Sequence, residues 1–206
     1  ASGPGLHAVA CQIADADAAV AALGQLGIAT GPVRHFERPV DLPGGKTGTA
    51  AFSVAVFDEG EVPQGSVFMC QHRTKPTVWV PEWMAHANGA RALGAVVAVS
   101  DDPATTAAGF ARLYAAGAVS DVAGGKRVET GTAPILVLTP EGAAKRYPGI
   151  ALDEAAKGVF VALEIVADMD KAAVALGDLA VRLPHGLAVQ PGQAAGAVVA
   201  FVAARP

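Results

Sequence analysis

The fold is decided by an apolar run that ends in an acidic turn, Leu93-Gly94-Ala95-Val96-Val97-Ala98-Val99-Ser100-Asp101-Asp102-Pro103. A continuous apolar run of this length, bounded by turn residues, predicts a buried strand. Asp102 can accept hydrogen bonds from the free N–H groups of a first helical turn, and Pro103 at the first helical position loses no hydrogen bond. The stretch therefore predicts a strand followed at once by a helix, whose buried face contains Phe110, Leu113 and Tyr114.

The same unit occurs three times along the chain. Apolar runs at residues 6–14 and 159–166 lead into acidic turns at Asp15 and Asp168, and Ala-rich segments follow to about Leu26 and Leu179. After each helix come strand-like segments separated by turn residues, at 51–57 and 66–71, at 127–130 and 134–139, and at 186–190 and 197–203. The pattern predicts a repeated unit of one strand, one helix and two or three further strands.

Three segments connect these elements. Residues 39–45 form a Pro- and Gly-rich cluster that is too long for a tight hairpin and predicts a loop. Residues 74–90 form a linker between the first and second copies. Residues 141–147, stopped by Pro148 and Gly149, predict a short helix between the second and third copies.

Composition excludes several classes of protein. The net charge is −4, and no stretch concentrates Lys and Arg, so nucleic acid is not expected as a partner. The longest apolar runs fall short of the roughly 20 residues that a membrane-spanning helix needs. The first residues lack the pattern of a signal peptide, and the two cysteines, Cys11 and Cys70, lie in apolar stretches, so we expect reduced thiols and a cytoplasmic location.

Motifs after the first copy narrow the family. They are Phe68-Met69-Cys70-Gln71-His72, Trp79-Val80-Pro81-Glu82-Trp83 and His86-Ala87-Asn88-Gly89-Ala90, flanked by 38–45 and 146–149. Together with the repeated unit, they resemble the glyoxalase-like domain proteins of the vicinal-oxygen-chelate superfamily, which also includes dioxygenases and antibiotic-resistance proteins. The resemblance implies an α+β fold of tandem βαβββ modules that form cupped mixed sheets.

In that superfamily two modules pair to make one cupped sheet that encloses a ligand cleft. The resemblance therefore implies two domains: residues 1–90 as one module with its linker, and residues 91–206 as two paired modules. The partner of the first module would lie upstream or in another chain, which predicts a homodimer or a chain lacking an upstream half. An unpaired module would expose a broad apolar sheet face, which is rare in soluble monomers.

The superfamily's enzymes usually hold a divalent metal through a His on the first strand of a module and a Glu on its last strand. The expected ligand positions, seven residues before the helix-start Asp, hold Ala8, Gly94 and Val161, and Ala200 stands where the closing Glu would be. None of these is a ligand. His7 is one residue out of register and would point toward the helix side of its strand. A metal is thus an open possibility, with His7 and His72 as weak candidate ligands and Glu164 interpreted as a strand-edge carboxylate.

A polar cluster at the end of the first module supplies the candidate site. Glu82 and His86 are four residues apart and would share a face on a helix, as metal ligands or as an acid and base pair. His72 ends a strand and could act as base or ligand in the cleft. We therefore expect His72 and Glu82 as catalytic candidates and Gln71, His86, Asn88 and Trp83 as substrate-binding candidates. The alternative is that these polar groups only cap and orient the linker, with Trp79 and Trp83 anchoring it.

Two functions remain open at this point. The first is an enzyme with lyase- or isomerase-like chemistry on a small oxygenated organic molecule, with a metal near His72. The second is a non-catalytic protein that binds or sequesters a small molecule in an apolar pocket. The missing ligands favour the second, whereas the breadth of the resembling family keeps the first.

Overall fold

The computed structural model describes residues 3–114, 118–155 and 159–204. The chain divides into two compact units. The first unit comprises residues 8–85, and the second unit comprises residues 1–7 together with 86–206.

The first unit is one βαβββ module. Its elements are β1 (Ala8–Ile13), α1 (Ala16–Gln25), β2 (Arg34–Leu42), β3 (Lys46–Val56) and β4 (Ser66–His72). The strands form a four-stranded sheet in the order β1-β4-β3-β2, in which β1 pairs parallel to β4 and the other pairs are antiparallel. Asp15 starts α1 as its N-cap, since its side chain accepts a hydrogen bond from the Ala18 N–H.

Residues 39–45 do not form the loop that the sequence predicts. Residues 39–42 belong to β2, which pairs with β3 without a break, and only Pro43–Gly45 form a 3₁₀ turn. Pro39 is tolerated because β2 is an edge strand of the sheet. Gly44 and Gly45 both have positive φ, near 75° and 72°, which allows the chain to turn back into β3.

The second unit contains the other two copies. Its strands are β5 (Ala90–Val99), β6 (Val119–Val122), β7 (Gly125–Val128), β8 (Ile135–Leu138), β9 (Phe160–Ala167), β10 (Val181–Leu183), β11 (Gly186–Val189) and β12 (Val198–Val202). Its helices are α2 (Pro103–Leu113), α3 (Pro140–Arg146), α4 (Leu152–Ala155) and α5 (Met169–Leu176). Asp102 and Asp168 are the N-caps of α2 and α5, as the acidic turns predict.

The two copies join into one eight-stranded sheet, in the order β10-β11-β12-β9-β5-β8-β7-β6. The join is an antiparallel pairing between the first strands of the two copies, β5 and β9. Helix α5 packs against β11 and β12 on one face, where Ala172 contacts Leu187 and Phe201. On the other face the segment containing α3 and α4 packs into the core through Ala143, Tyr147 and Ala155. That face of the sheet is thus covered by the chain's own connection between copies.

The architecture is a mixed α+β fold, as the repeated strand and helix pattern predicts. The sequence did not predict the strand that directly follows the helix of each module. These three strands are β2, β6 and β10. The strand β2 is mostly polar and contains Pro39, whereas β6 and β10 are only four and three residues long. Within the described ranges, no helix is both long and apolar enough to cross a membrane.

Candidate functional site

An aromatic row crosses three neighbouring strands of the first unit. Phe36 on β2 lies opposite Phe52 on β3, and Phe52 lies opposite His72 on β4. Directly opposed residues of adjacent strands point to the same face, so these rings meet. The Phe36 and Phe52 rings stack with centroids 5.1 Å apart, and His72 meets Phe52 edge-on at 5.4 Å. Trp79 extends the row, with its ring centroid 5.7 Å from that of His72.

Hydrogen bonds after β4 hold Trp79 in place. The Thr74 hydroxyl accepts from the Ala51 N–H at 2.8 Å, and the Thr77 hydroxyl donates to the Thr49 carbonyl at 2.8 Å. Both bonds tie the segment that follows β4 onto β3. The backbone N–H of Trp79 donates to the Lys75 carbonyl at 2.8 Å. This hydrogen bond closes a tight turn that directs the indole back to the sheet.

The aromatic row is partly open to solvent. Phe36 and Trp79 are each 48% exposed, whereas Phe52 is 8% exposed and packs with Ala50 and Cys70. The exposed aromatic surface therefore lies at the two ends of the row, at Phe36 and at Trp79. These half-exposed rings are the candidate contacts for a ligand.

The imidazole of His72 is fixed in one tautomer. The indole Nε1–H of Trp79 donates to Nδ1 of His72 at 2.9 Å, so Nδ1 carries the lone pair and the proton of the neutral ring lies on Nε2. Burial lowers the pKa of His72 below its ordinary value of 6.5, and the charge of Lys75 lowers it further. His72 is therefore neutral at pH 7 and presents Nε2–H as a donor, for which the described residues supply no acceptor.

Two arginines flank the Phe36 end of the row. Arg34, Phe36 and Arg38 alternate along β2, so they lie on the same face of the strand, and both arginines are exposed. The acidic residues of this strand, Glu37 and Asp41, alternate to the opposite face. Among the described residues, neither arginine has an ion-pair partner, so this end of the row carries a positive potential.

The thiol near the row is not reactive. Cys70 lies two residues before His72, is 8% exposed, and burial raises the pKa of its thiol. Because the thiolate is the nucleophile, a buried thiol of raised pKa is inert. Cys70 is a small core residue that packs with Phe52 of the aromatic row.

The polar residues at the end of the first module do not lie on one helix. Glu82 and Trp83 lie on a 3₁₀ turn, Pro81–Trp83, whereas His86 lies outside any helix and belongs to the second unit. The helical spacing expected for Glu82 and His86 is therefore wrong, because Pro81 starts only a single turn. Glu82 is exposed, and Trp83 is 44% exposed.

The two amide candidates have structural partners. The side-chain oxygen of Gln71 accepts from the Ala16 N–H at 3.1 Å, so Gln71 points to the helix side of the sheet, opposite His72. Asn88 accepts from the Ala90 N–H at 3.1 Å and caps the start of β5. Gln71 and Asn88 therefore orient the backbone at these two positions.

The described residues do not fit the metal site of the superfamily's enzymes. His7 precedes β1 rather than lying on it, and its Nε2 contacts the Gly3 carbonyl at 2.9 Å within the second unit. Nδ1 of His72 already accepts a hydrogen bond, and its Nε2 is protonated. Throughout the described ranges, no three His, Cys, Asp or Glu side chains come together as metal ligands.

Glu164 is buried in the second unit, which corrects its interpretation as a strand-edge carboxylate. Its strand, β9, lies between β12 and β5 in the middle of the sheet, and the residue is 4% exposed. Its carboxylate accepts two hydrogen bonds from Arg146, at 2.6 and 2.8 Å, and one from the Tyr147 hydroxyl at 2.7 Å. Glu164 thus fastens the connection between copies to the sheet.

Comparison with known families decides the identity of the fold. The sequence model of the family described as "Glyoxalase-like domain" matches residues 1–114, more than half of the chain. The chain belongs to this glyoxalase-like domain family. It is thereby a member of the vicinal-oxygen-chelate superfamily, as the motifs after β4 predict.

Solved structures agree on the fold. One of them is the crystal structure of a hypothetical protein from Staphylococcus aureus, which superposes with a TM-score of 0.64 at 9% identity. The match covers 96% of this chain and 66% of that chain. At this identity the likeness shows the fold alone. No protein of curated function matches the chain.

The aromatic row of this family member was not predicted from the sequence as a site. Phe36, Phe52 and Arg34 lie outside the family motifs, Arg38 only begins the flanking segment 38–45, and β2 was interpreted in part as a loop. The stretch Arg34-His35-Phe36-Glu37-Arg38 holds a single apolar residue, so it shows no apolar–polar alternation from which the strand could be predicted. His72 was identified, but its partner Trp79 was assigned only an anchoring role.

Proposed function

We propose that this glyoxalase-like protein binds a small flat organic molecule on the aromatic row of its first unit and does so without catalysis. The observation that carries the proposal is the Trp79–His72 hydrogen bond within a half-exposed row of rings. Ligand sites are commonly lined by aromatic side chains with a few oriented polar groups. Here the oriented polar group is Nε2–H of His72.

The chemistry of the row supports binding over catalysis. A general base needs a free lone pair, and His72 has its only lone pair committed to Trp79. Glu82, the other catalytic candidate, is exposed to solvent on its 3₁₀ turn, where no described contact orients it. Lyase- or isomerase-like chemistry would need a positioned acid or base, and neither residue supplies one in this arrangement.

The test is a fragment screen that maps where ligands bind. A panel of one- and two-ring aromatic compounds is added to ¹⁵N-labelled protein, and the two indole N–H signals, from Trp79 and Trp83, are followed. The Trp83→Phe variant assigns the remaining signal to Trp79. We expect bound fragments to shift the Trp79 indole and the His72 ring signals together.

A second arm tests the enzymatic alternative. Apo protein is loaded with several divalent ions, and the bound metal is counted in wild type and in His72→Ala. We expect no stoichiometric metal that depends on His72. One metal per chain that disappears in His72→Ala would contradict the proposal and favour a metal-dependent enzyme. Fragments that shift neither the Trp79 nor the His72 signals would contradict it as well.

We also propose that the protein forms a homodimer through β1. The support is an analogy within the chain: in the second unit the first strands of two copies, β5 and β9, pair antiparallel, while β1 is an edge strand of its four-stranded sheet. Edge strands readily pair with another chain. Sedimentation equilibrium should give a dimer, and a monomer at every accessible concentration would contradict this proposal.

A further inference from the structure

We infer that the ligand of the aromatic row is an aromatic carboxylate, whose ring packs on the row and whose oxygens accept from His72 Nε2–H on the sheet face that also carries Arg34 and Arg38. The inference rests on the proposed function and specifies the ligand's chemical class. It uses three observations: one donor of fixed tautomer, two arginines without ion-pair partners among the described residues, and the half-exposed rings at the ends of the row.

The donor selects for an acceptor atom. Because Trp79 donates to Nδ1, His72 cannot turn a lone pair toward a ligand without breaking that hydrogen bond. Ring flipping would place Cδ2–H, which cannot accept a hydrogen bond, against the indole N–H. A ligand at Nε2 must therefore present a hydrogen-bond acceptor, such as a carbonyl or carboxylate oxygen.

Charge selects for an anionic acceptor. The face that carries the row holds Arg34 and Arg38 on β2, and the strand positions opposite them, Val54 and Ala50 on β3, are apolar. Lys75 adds a positive charge close enough to His72 to affect its titration. Neither β3 nor β4 carries an acidic residue. A carboxylate therefore meets only complementary charge from these strands.

Shape selects for a flat ring. Phe36 stacks on the buried Phe52, and Phe36 and Trp79 are each 48% exposed, so each end of the row presents one half-exposed aromatic ring. Offset or edge-on packing on such a ring favours an aromatic guest. The ring and the carboxylate of one small molecule can satisfy both the stack and the donor.

Three phenyl probes of similar size separate these contributions: benzoate, with charge and acceptor; benzamide, with an acceptor and no charge; and styrene, with neither. Their dissociation constants are measured by NMR titration of the Trp79 indole signal. We expect benzamide to bind about three- to tenfold more tightly than styrene, through one hydrogen bond. Benzoate should gain about a further two- to fivefold from the partly solvent-screened arginines.

Substitutions test which residue supplies each gain in affinity. His72→Phe keeps the ring and should remove the advantage of benzamide over styrene. Arg34→Gln and Arg38→Gln should remove the advantage of benzoate over benzamide and leave that of benzamide. Lys145→Gln, in the second unit on α3, is the charge-matched control and should change nothing.

The tautomer is read separately from the ¹⁵N shifts of the His72 ring. We expect an unprotonated Nδ1 and a protonated Nε2 in wild type and in Trp83→Phe, and a mixture in Trp79→Phe. A ring protonated at Nδ1, or equal affinity of the three probes, would overturn the inference while leaving a flat-ligand site in place. Failure of all three probes to bind would overturn this inference and count against the proposed function as well.

Discussion

Arg146 and Glu164 form a two-pronged ion pair between α3 and the central strand β9, with Nε to Oε1 at 2.6 Å and Nη2 to Oε2 at 2.8 Å. The Glu164 side chain is 5% exposed and that of Arg146 is 25% exposed. Tyr147, 1% exposed, adds a hydrogen bond to the same carboxylate. This relationship holds the connection between the second and third copies against the sheet.

Removing the charge of Glu164 should strongly destabilise the protein. Glu164→Gln leaves the Arg146 guanidinium partly buried without its counterion, which in other proteins costs about 3–5 kcal/mol. Chemical denaturation should show a loss of this order in the free energy of unfolding. Glu59→Gln, at an exposed position, is the matched control and should change stability by less than about 0.5 kcal/mol. Equal stability of the two variants would contradict the role assigned to the pair.

The same carboxylate should make stability depend on pH. Burial by itself raises the pKa of Glu164, but contacts with His185, Arg146 and Tyr147 outweigh it and lower the pKa from 4.5 to about 2. We assign most of this lowering to Arg146, because His185 Nε2 lies 3.6 Å from Oε1, beyond hydrogen-bonding distance.

A lowered folded pKa means that the unfolded chain binds a proton first as the pH falls. The stabilisation, about 3 kcal/mol, is therefore complete above about pH 4.5 and is lost as the pH falls toward 2. Unfolding free energies measured across this range should decline, and more steeply than in Glu164→Gln. Parallel pH profiles for the two proteins would show that other groups dominate.

Two helical glycines should respond oppositely to alanine. A Cβ on Gly142 in α3 would lie 2.3 Å from the Gly124 carbonyl oxygen, a backbone atom, whereas a Cβ on Gly24 in α1 would meet nothing within 4 Å. Gly142→Ala should therefore lower the melting temperature markedly. Gly24→Ala should be neutral or raise stability by roughly 0.5–1 kcal/mol. A tolerated Gly142→Ala would contradict the close contact between α3 and the β6–β7 turn.

The repeated unit could be predicted from sequence because its signals are local. An apolar run followed by an Asp that can cap a helix needs no knowledge of distant contacts, and Asp15, Asp102 and Asp168 all cap helices in the structure. The strand β2 could not be predicted in full, because Pro39 is a turn residue in isolation. Pairing with β3 overrides that local preference along the whole strand.

The candidate site was harder to predict because its residues meet across strands. His72 was identified from its motif, but its contacts with Phe52 and Trp79 depend on strand register and on the turn after β4. Glu164 shows the same limit. Its burial follows from the position of β9 between two strands, a property of the whole sheet rather than of the residues beside it.

The pKa of His72 should depend on its neighbours Lys75 and Trp79. Burial and then the Lys75 charge lower the pKa of His72, so Lys75→Gln should raise that pKa toward 6.5. Trp79→Phe should raise it further, because the protonated ring no longer places Nδ1–H against the indole N–H. An NMR titration of the His72 ring signals measures both shifts. Lys46→Gln is the control, and a pKa that stays unchanged in all three variants would contradict the arrangement.

Binding of a flat ligand to the aromatic row can be followed by fluorescence titration of Trp83→Phe protein, in which Trp79 is the sole tryptophan. Benzoate should give a saturable change in Trp79 emission. Phe36→Ala should weaken binding by about three- to tenfold through the lost ring contact, while Leu26→Ala, a comparably exposed apolar position after α1, should leave it unchanged. The absence of saturation, or the same affinity in Phe36→Ala as in Leu26→Ala, would contradict the claim.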